Sequence, residues 1–155
     1  MVMPEATTND LTVRTVTITE EIRVLAPPEV TFAALLEELG PQHAVADDRP
    51  LPAKLEPWPG GRWYRDLGDN NGHLWGHVQA IKRPTLVEIT GPLFMSFAAA
   101  NNLQYRLTPV DDGTLITFKH SAMGLIPEDI RAGVQTSWAY SHERVRKAAE
   151  RATRS

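Results

Sequence analysis

The residue with the clearest chemical potential is Glu20, an acidic side chain on the apolar face of a predicted strand. Apolar and polar residues alternate from Val16 to Val24, and Glu20 occupies a position where this pattern predicts an apolar residue. An unpaired carboxylate inside a protein is costly or raises its own pKa. Glu20 is therefore a candidate acid, base or ligand anchor in a cavity. A register shift at the strand end or a surface salt bridge is the alternative.

His120 is the second candidate for chemistry. It follows Ile116 and Phe118 on one face of a later predicted strand, which directs its imidazole toward the interior. A role in proton transfer or ligand contact is one interpretation, and a core histidine with satisfied hydrogen bonds is the other. Ser121 points to the opposite face of the strand, so the pair cannot act as nucleophile and base.

The stretch WPGGRWYRDLGDNNGHLWGH, from Trp58 to His77, raises the question of a phosphate loop or a metal site. Its double glycine leads into aromatic, strand-forming residues instead of a helix N-terminus, which argues against phosphate binding. His73 and His77 would lie about 13 Å apart on a regular strand and could not share one ion unless the strand is bulged. We therefore predict no metal site and no cofactor.

The remaining interpretation of this stretch is structural. Glycines let a strand curve sharply, and aromatic side chains fill the concave face that results. Trp63, Trp75 and Trp138 would each bury on the order of 200 Å². A curved sheet holding one long helix accommodates all three tryptophans and leaves a space between the sheet and the helix.

The composition excludes several classes of function. The chain of 155 residues has a formal net charge of -3 and no cysteine, which argues against a nucleic-acid partner and removes disulfides and thiolate chemistry. No apolar run approaches about 18 residues, and the N-terminus lacks the basic and apolar regions of a signal peptide. We expect a cytoplasmic protein without a membrane span.

The predicted elements follow one another as strand, short helix, antiparallel meander and long helix, an α+β arrangement. Pro27 and Pro28 suit the start of the short helix, and Gly40 suits its end. The long helix is predicted from Pro127 to about Ala152. The predicted strands of the meander are Arg62–Leu67, Leu74–Ile81, Leu86–Thr90, Leu103–Leu107 and Thr114–His120, with a brief edge strand within Leu51–Trp58.

Five short motifs in this order resemble one known superfamily. They are the strand Val16–Val24 followed by APPEVTFAALLEELG, then PGGRW, GHVQAIKRPTLVEIT, DDGTLITFKHSAMG and a C-terminal helix. Together they resemble the START-like, helix-grip superfamily SRPBCC over about residues 13–150. Within it they are most similar to the bacterial homologues of the activator of the heat-shock-protein-90 ATPase.

The resemblance implies a helix-grip fold. A curved antiparallel sheet of six to seven strands would wrap around the long C-terminal helix, with one or two short helices after the first strand. It also implies an apolar cavity for a small ligand, and no universal catalytic residues. We predict a disordered tail at residues 1–12 and a single START-like domain at residues 13–152.

The first functional hypothesis is binding of a small hydrophobic or amphipathic ligand between the sheet and the long helix. The alternatives are an enzyme of the polyketide cyclase or hydrolase type that uses Glu20 or His120, and a chaperone-associated, ATPase activator-like protein. No motif assigns a reaction. The residues predicted to contact the ligand are Trp63, Trp75, Val78, Tyr105, Phe118, His120, Val134, Trp138 and Ser141.

The run LFMSFAAA, Leu93–Ala100, departs from the pattern of the branch because it is more apolar than a solvated connection. It either lines the mouth of the cavity or forms a patch for a homodimer. The sequence leaves both interpretations open.

Overall fold

The computed structural model describes residues 11–154, in the predicted order of elements. Helix α1 spans Pro28–Leu39 and helix α2 spans Ile130–Arg154. The strands are β1 (Arg14–Val24), β2 (Ala44–Val45), β3 (Arg49–Pro50), β4 (Lys54–Leu55), β5 (Arg62–Gly68), β6 (Asn71–Lys82), β7 (Leu86–Gly91), β8 (Ala99–Val110) and β9 (Gly113–Gly124). Residues 1–10 of the predicted tail lie outside the described residues, so the division into tail and domain stays a prediction.

Seven strands form one antiparallel sheet in the order β1-β9-β8-β7-β6-β5-β4, while β2 and β3 pair separately. Strand β1 therefore lies at one edge and the two-residue β4 at the other. Helix α2 packs against α1 and β1. The α+β helix-grip architecture predicted from the sequence is confirmed.

Several boundaries differ from the predicted ones. Strand β6 begins at Asn71 instead of Leu74, because Asp69 and Asn70 both adopt positive φ and close a tight hairpin in which Gly68 pairs with Asn71. Strand β8 begins at Ala99, four residues before the predicted start at Leu103. The four additional residues have partners because β9 extends to Gly124. Helix α2 begins at Ile130 instead of the predicted Pro127. Pro127 belongs to a turn before the helix, which is closed by a hydrogen bond from the Ile130 amide to the Pro127 carbonyl.

The PGGRW motif has a structural explanation. Gly60 has φ +84°, and a Cβ on Gly61 would lie 1.9 Å from the carbonyl oxygen of Glu56. The amide of Gly60 and the carbonyl of Gly61 both bond to the backbone of Val78 at 2.8 Å. The two glycines thus allow a close backbone approach between this turn and β6.

Helix α2 is packed along only part of its length. Trp138, His142, Val145 and Ala149 are buried and recur at helical spacing. Over residues 130–137 no side chain is buried, and only two are half-buried. The last four turns therefore close the core, while the first two turns leave room beneath them.

Candidate functional site

A cavity of about 1200 Å³ lies under the first turns of α2. Four segments build its wall. They are residues 43–46 around β2 with Leu51, residues 72–75 of β6, residues 92–96 between β7 and β8, and positions from Asp129 to Ser141 at the start of α2. A smaller space of about 180 Å³ adjoins it and reaches His120 and Phe97. The larger volume is somewhat above the range of about 300–1,000 Å³ that is typical of small-ligand sites, so a drug-sized molecule has room in it.

Phe94 is the centre of an aromatic cluster in this wall. Its ring centroid lies 4.9 Å from that of Trp75, 5.8 Å from Trp63 and 6.1 Å from Trp138. Although these rings surround it, Phe94 is 52% exposed. A large apolar side chain that is half-exposed in a concave wall offers surface for another apolar group to cover.

A bulge in β6 turns Trp75 toward this cluster. Trp63 of β5 pairs with Gly76, but the next residue, Tyr64, pairs with Leu74, so Trp75 is the extra residue on its strand. The Trp75 and Trp63 rings then meet edge to face at 5.2 Å. Trp63 is fixed by a 2.7 Å hydrogen bond from its indole N–H to the carbonyl of Leu39.

The structure brings together some of the residues predicted to contact a ligand and separates others. Trp75, Val134, Trp138 and Ser141 line the large cavity, and His120 lines the small one. The other four are fully buried and lie outside the cavity wall: Trp63, Val78, Tyr105 and Phe118. Of the apolar run Leu93–Ala100, the first four residues line the cavity, and Ala99 and Ala100 belong to β8.

His120 is held by hydrogen bonds at both ring nitrogens. The indole N–H of Trp138 donates to its Nδ1 at 3.0 Å, so the ring proton is on Nε2, which donates to the Asn101 side-chain oxygen at 2.8 Å. The Asn101 amide nitrogen donates in turn to the carbonyls of Gly91 and Pro92. Burial lowers the pKa of His120 to about 4, which keeps the imidazole neutral.

Glu20 belongs to a second chain of polar groups. Its Oε1 lies 2.5 Å from Nδ1 of His142, and Nε2 of His142 lies 3.0 Å from the Tyr105 hydroxyl. Strand register explains the arrangement, because Glu20, Phe118 and Tyr105 form one row across β1, β9 and β8. His142 bridges the two ends of the row over the Phe118 ring, at 4.4 Å.

The proton of the Tyr105 hydroxyl is firmly held. Burial and the negative charge of Glu20 raise the pKa of Tyr105 far above its usual value. Glu20 itself is half-buried, as the sequence pattern predicts, and its partner in the structure is His142 of α2. Glu20, Tyr105 and His142 all lie outside the cavity wall.

A polar latch joins α2 to the wall segment around β2. Arg144 donates to Glu38 of α1 at 2.8 Å, to Asp48 at 2.7 Å and to the carbonyl of Gln42 at 3.2 Å. The Tyr140 hydroxyl donates to the same Asp48 carboxylate at 2.5 Å. These bonds lower the pKa of Asp48, first through Tyr140 and then through Arg144. Residues 42–48 are thereby tied to the helix that roofs the cavity.

Sequence reasoning did not identify His43, Tyr140 or Phe94 individually. His43 lies in the proline-rich part of the chain, where neither strand nor helix periodicity tells which side chains face inward. The run LFMSFAAA did signal the segment that contains Phe94. For His142, the spacing Trp138, His142, Val145 on a helical face was the available signal.

No metal or membrane site emerges from the described part of the chain. Residues 11–154 contain no group of three or more His, Asp or Glu side chains placed to hold a metal ion. His73 lines the cavity, but it has no such companions. Neither helix of this region is long and apolar enough to cross a membrane.

An antiparallel sheet closed by one long C-terminal helix, with an aromatic-walled cavity between them, defines a protein of the helix-grip class. The family profile described as "Activator of Hsp90 ATPase homolog 1-like protein" matches residues 25–150. The chain therefore belongs to this family, a branch of the SRPBCC superfamily. A search of curated proteins found no match.

Solved structures share the fold at low sequence identity. An uncharacterised protein from Rhizobium leguminosarum matches with a TM-score of 0.70 and 17% identity, covering 90% of this chain and 97% of its own. The di-domain ARO/CYC StfQ from the steffimycin biosynthetic pathway gives 0.64 and 12%, covering 92% and 52%. Ara h 8.0201 gives 0.62 and 16%, covering 88% and 98%. These similarities establish the fold.

Proposed function

We propose that the protein binds a small hydrophobic or amphipathic ligand in the cavity between its sheet and α2. The observation that carries the proposal is the exposure of the Phe94 ring in the cavity wall. This side chain is surrounded by three tryptophan rings and yet 52% exposed, in the wall of a cavity of about 1200 Å³. A ligand that covered Phe94 would remove apolar surface from water, which is the main favourable term in such binding.

The polar groups of the wall support an amphipathic ligand. Ser137 and Ser141 project from α2 into the cavity wall, and His43 and His73 lie on other parts of it. A few polar groups in a mainly apolar wall orient a ligand without binding it strongly by themselves. The residues proposed to contact it are Trp75, Phe94, Val134, Trp138 and Ser141.

The first test is to ask whether the purified protein carries or takes up such a molecule. Native mass spectrometry, followed by organic extraction, detects a small apolar compound that travels with the chain. Saturable fluorescence of the neutral dye N-phenyl-1-naphthylamine then measures binding by the extracted protein. A bare polypeptide mass together with no saturable dye signal would reject the proposal.

Location of the ligand is tested by substituting the wall. Phe94→Ala should weaken dye binding, because it removes the exposed ring. Trp58→Ala is the matched control, since Trp58 is an aromatic side chain that is 55% exposed and is not among the residues of the wall. Equal dye affinity in both variants would place the binding site elsewhere.

The enzyme alternative has less support from the geometry. A general base needs a lone pair within reach of the substrate, but both nitrogens of His120 are engaged with Trp138 and Asn101. The carboxylate of Glu20 is engaged with His142 and lies off the cavity wall. A polyketide cyclase or hydrolase activity would require a general base other than Glu20 or His120.

The family match favours the chaperone-associated function as a second candidate. The family takes its name from an activator of the Hsp90 ATPase. This candidate predicts that the protein binds the 90-kDa chaperone and raises its rate of ATP hydrolysis. Binding absent at micromolar protein, with an unchanged hydrolysis rate, would reject it. The cytoplasm is the proposed location under either candidate.

A further inference from the structure

His43 is a rigidly held histidine of the cavity wall. Its amide donates to the carbonyl of Gly40 at 3.0 Å, and its carbonyl accepts from the amide of Leu51 at 2.8 Å. Its ring lies 5.4 Å from that of Trp75 and 6.4 Å from that of Phe94. The imidazole is therefore fixed beside the aromatic rings that the proposed ligand would cover.

The two ring nitrogens of His43 have different surroundings. Nδ1 lies 3.2 Å from the carbonyl oxygen of Leu51, which can only accept, so Nδ1 carries the proton. Nε2 is then a lone-pair acceptor, and no protein group among residues 11–154 bonds to it. In the same region, every side-chain nitrogen or oxygen that is cut off from solvent has a hydrogen-bond partner. Nε2 is therefore reachable from outside the protein, on a residue that lines the cavity.

The imidazole of His43 is neutral at physiological pH. Burial lowers its pKa, and the positive charges of Arg144 and Arg65 act in the same direction. The bond to Leu51 opposes these effects but does not outweigh them. The lone pair on Nε2 is thus available to accept a hydrogen bond.

Given the proposed ligand-binding function, we infer that Nε2 of His43 accepts a hydrogen bond from a hydroxyl group of the ligand. A ring that packs on Trp75 and Phe94 brings a substituent at its edge to His43, because these three side chains are neighbours. The site then selects apolar ring compounds that carry an O–H donor.

The selectivity of this position comes from its single hydrogen-bonding role. The hydroxyls of Ser137 and Ser141 can rotate to donate or accept, so they do not distinguish an alcohol from an ether. Nε2 of a neutral histidine protonated on Nδ1 can only accept. An ether oxygen at the same place would face the lone pair without a proton and would lose the bond.

The test compares 2-naphthol with 2-methoxynaphthalene, which differ by replacement of the hydroxyl proton with a methyl group. Their dissociation constants are measured by displacement of N-phenyl-1-naphthylamine from the wild type and from His43→Asn. The asparagine amide can take the place of Nδ1–H toward Leu51 but leaves no group at the position of Nε2. We expect the preference for 2-naphthol over the ether to fall about fivefold in this variant, the effect of one hydrogen bond.

Two further variants separate the role of Nε2 from general damage. His43→Gln places an amide oxygen near the position of Nε2 and should restore much of the preference. His77→Asn makes the same change at an exposed histidine that does not line the cavity, and it should leave the preference as in the wild type.

Two outcomes would overturn the inference in distinguishable ways. If both compounds displace the dye but their preference is the same in the wild type and in His43→Asn, the role of His43 is wrong while ligand binding stands. If the dye does not bind to the wild type and no small molecule travels with the purified chain, the proposed function fails and the inference fails with it.

Discussion

The indole N–H of Trp138 donates to Nδ1 of His120 at 3.0 Å, and the same indole stacks on the ring of His142, with the ring planes 9° apart. Trp138 also lines the cavity. One side chain thus connects the cavity wall with both buried polar networks. Changes at Trp138 should affect stability and ligand binding together, whereas changes in either network alone should affect stability.

Removal of the indole N–H should leave a buried acceptor without a partner. We expect Trp138→Phe to lower the free energy of unfolding by about 2 kcal/mol, because Nδ1 of His120 is then unsatisfied in the core. Urea unfolding measures the change. In a double-mutant cycle, Trp138→Phe should lower the free energy of unfolding by about 1 kcal/mol less in the His120→Leu background than in the wild type. Additive effects would show that the bond contributes nothing.

The stability of the protein should fall with acidity in a window set by His120. Its pKa is about 4 when folded and takes the ordinary value of 6.5 when unfolded. Below pH 6.5 the unfolded chain takes up the proton first, so stability is full above about 6.5 and declines until about 4. Between pH 7 and pH 4.5 the loss from this group is on the order of 2 kcal/mol.

Unfolding measured at pH 7 and pH 4.5 tests this linkage. The lowered pKa of His43 contributes in the same direction, so the wild type is compared with His120→Gln, which should lose part of the pH dependence. The exposed His77 supplies the control, and His77→Gln should keep the wild-type dependence. An identical pH profile in His120→Gln would contradict the assignment of His120 as a buried neutral group.

Glu20 should matter for stability more than for binding. Glu20→Gln replaces a charge-assisted hydrogen bond to His142 with a neutral one, and we expect a loss of about 1 kcal/mol in the free energy of unfolding. Dye affinity should stay within a factor of two, because neither Glu20 nor His142 lines the cavity. A large loss of affinity at unchanged stability would instead favour a ligand-contacting carboxylate.

Phe94→Ala should instead affect dye affinity more than stability. Half of the Phe94 side chain is already exposed, so we expect its truncation to cost about 1 kcal/mol of stability, less than for a buried phenylalanine. The affinity for N-phenyl-1-naphthylamine should fall about tenfold, because the dye loses an aromatic contact. Dye titration and urea unfolding of the same preparation separate the two effects.

The latch around Arg144 should control the order of the wall. Arg144→Ala removes bonds to Glu38, Asp48 and the Gln42 carbonyl, so we expect amide hydrogens of residues 42–50 to exchange about tenfold faster. Dye affinity should fall although Arg144 does not line the cavity. Arg146→Ala is the matched control, because Arg146 bonds within α2 to Glu143 and Glu150. Equal rates of amide hydrogen exchange at residues 42–50 in both variants would show that the Arg144 bonds do not order this segment.

Local patterns in the sequence predicted the fold but not the partners of its polar residues. Alternation along β1 placed Glu20 on the inner face correctly, since side-chain direction in a strand depends only on position. That His142 meets Glu20 depends on how α2 crosses the sheet, 122 residues away in sequence. Contacts of this kind leave no local periodicity.

The prediction of cavity-lining residues reached its limit at the bulge in β6. Strict alternation along a regular strand would place Trp75 and Val78 on opposite faces of the sheet. The sequence indicates that the strand curves, but it does not indicate which residue is the extra one in the bulge. The structure places it at Trp75, which joins the wall, while Val78 is buried away from it. The space for the cavity comes from where α2 stops packing, which the uniform helical pattern from Val134 to Val145 did not reveal.

Helix α2 separates the residues that hold the protein together from those that meet a ligand. Its buried face starts at Trp138, and the wall positions before it are exposed or half-buried. Substitutions at Ile130, Gly133 or Ser137 should therefore reshape the cavity with little effect on folding. The first two turns of this helix are a place where directed evolution can change ligand preference while the scaffold keeps its stability.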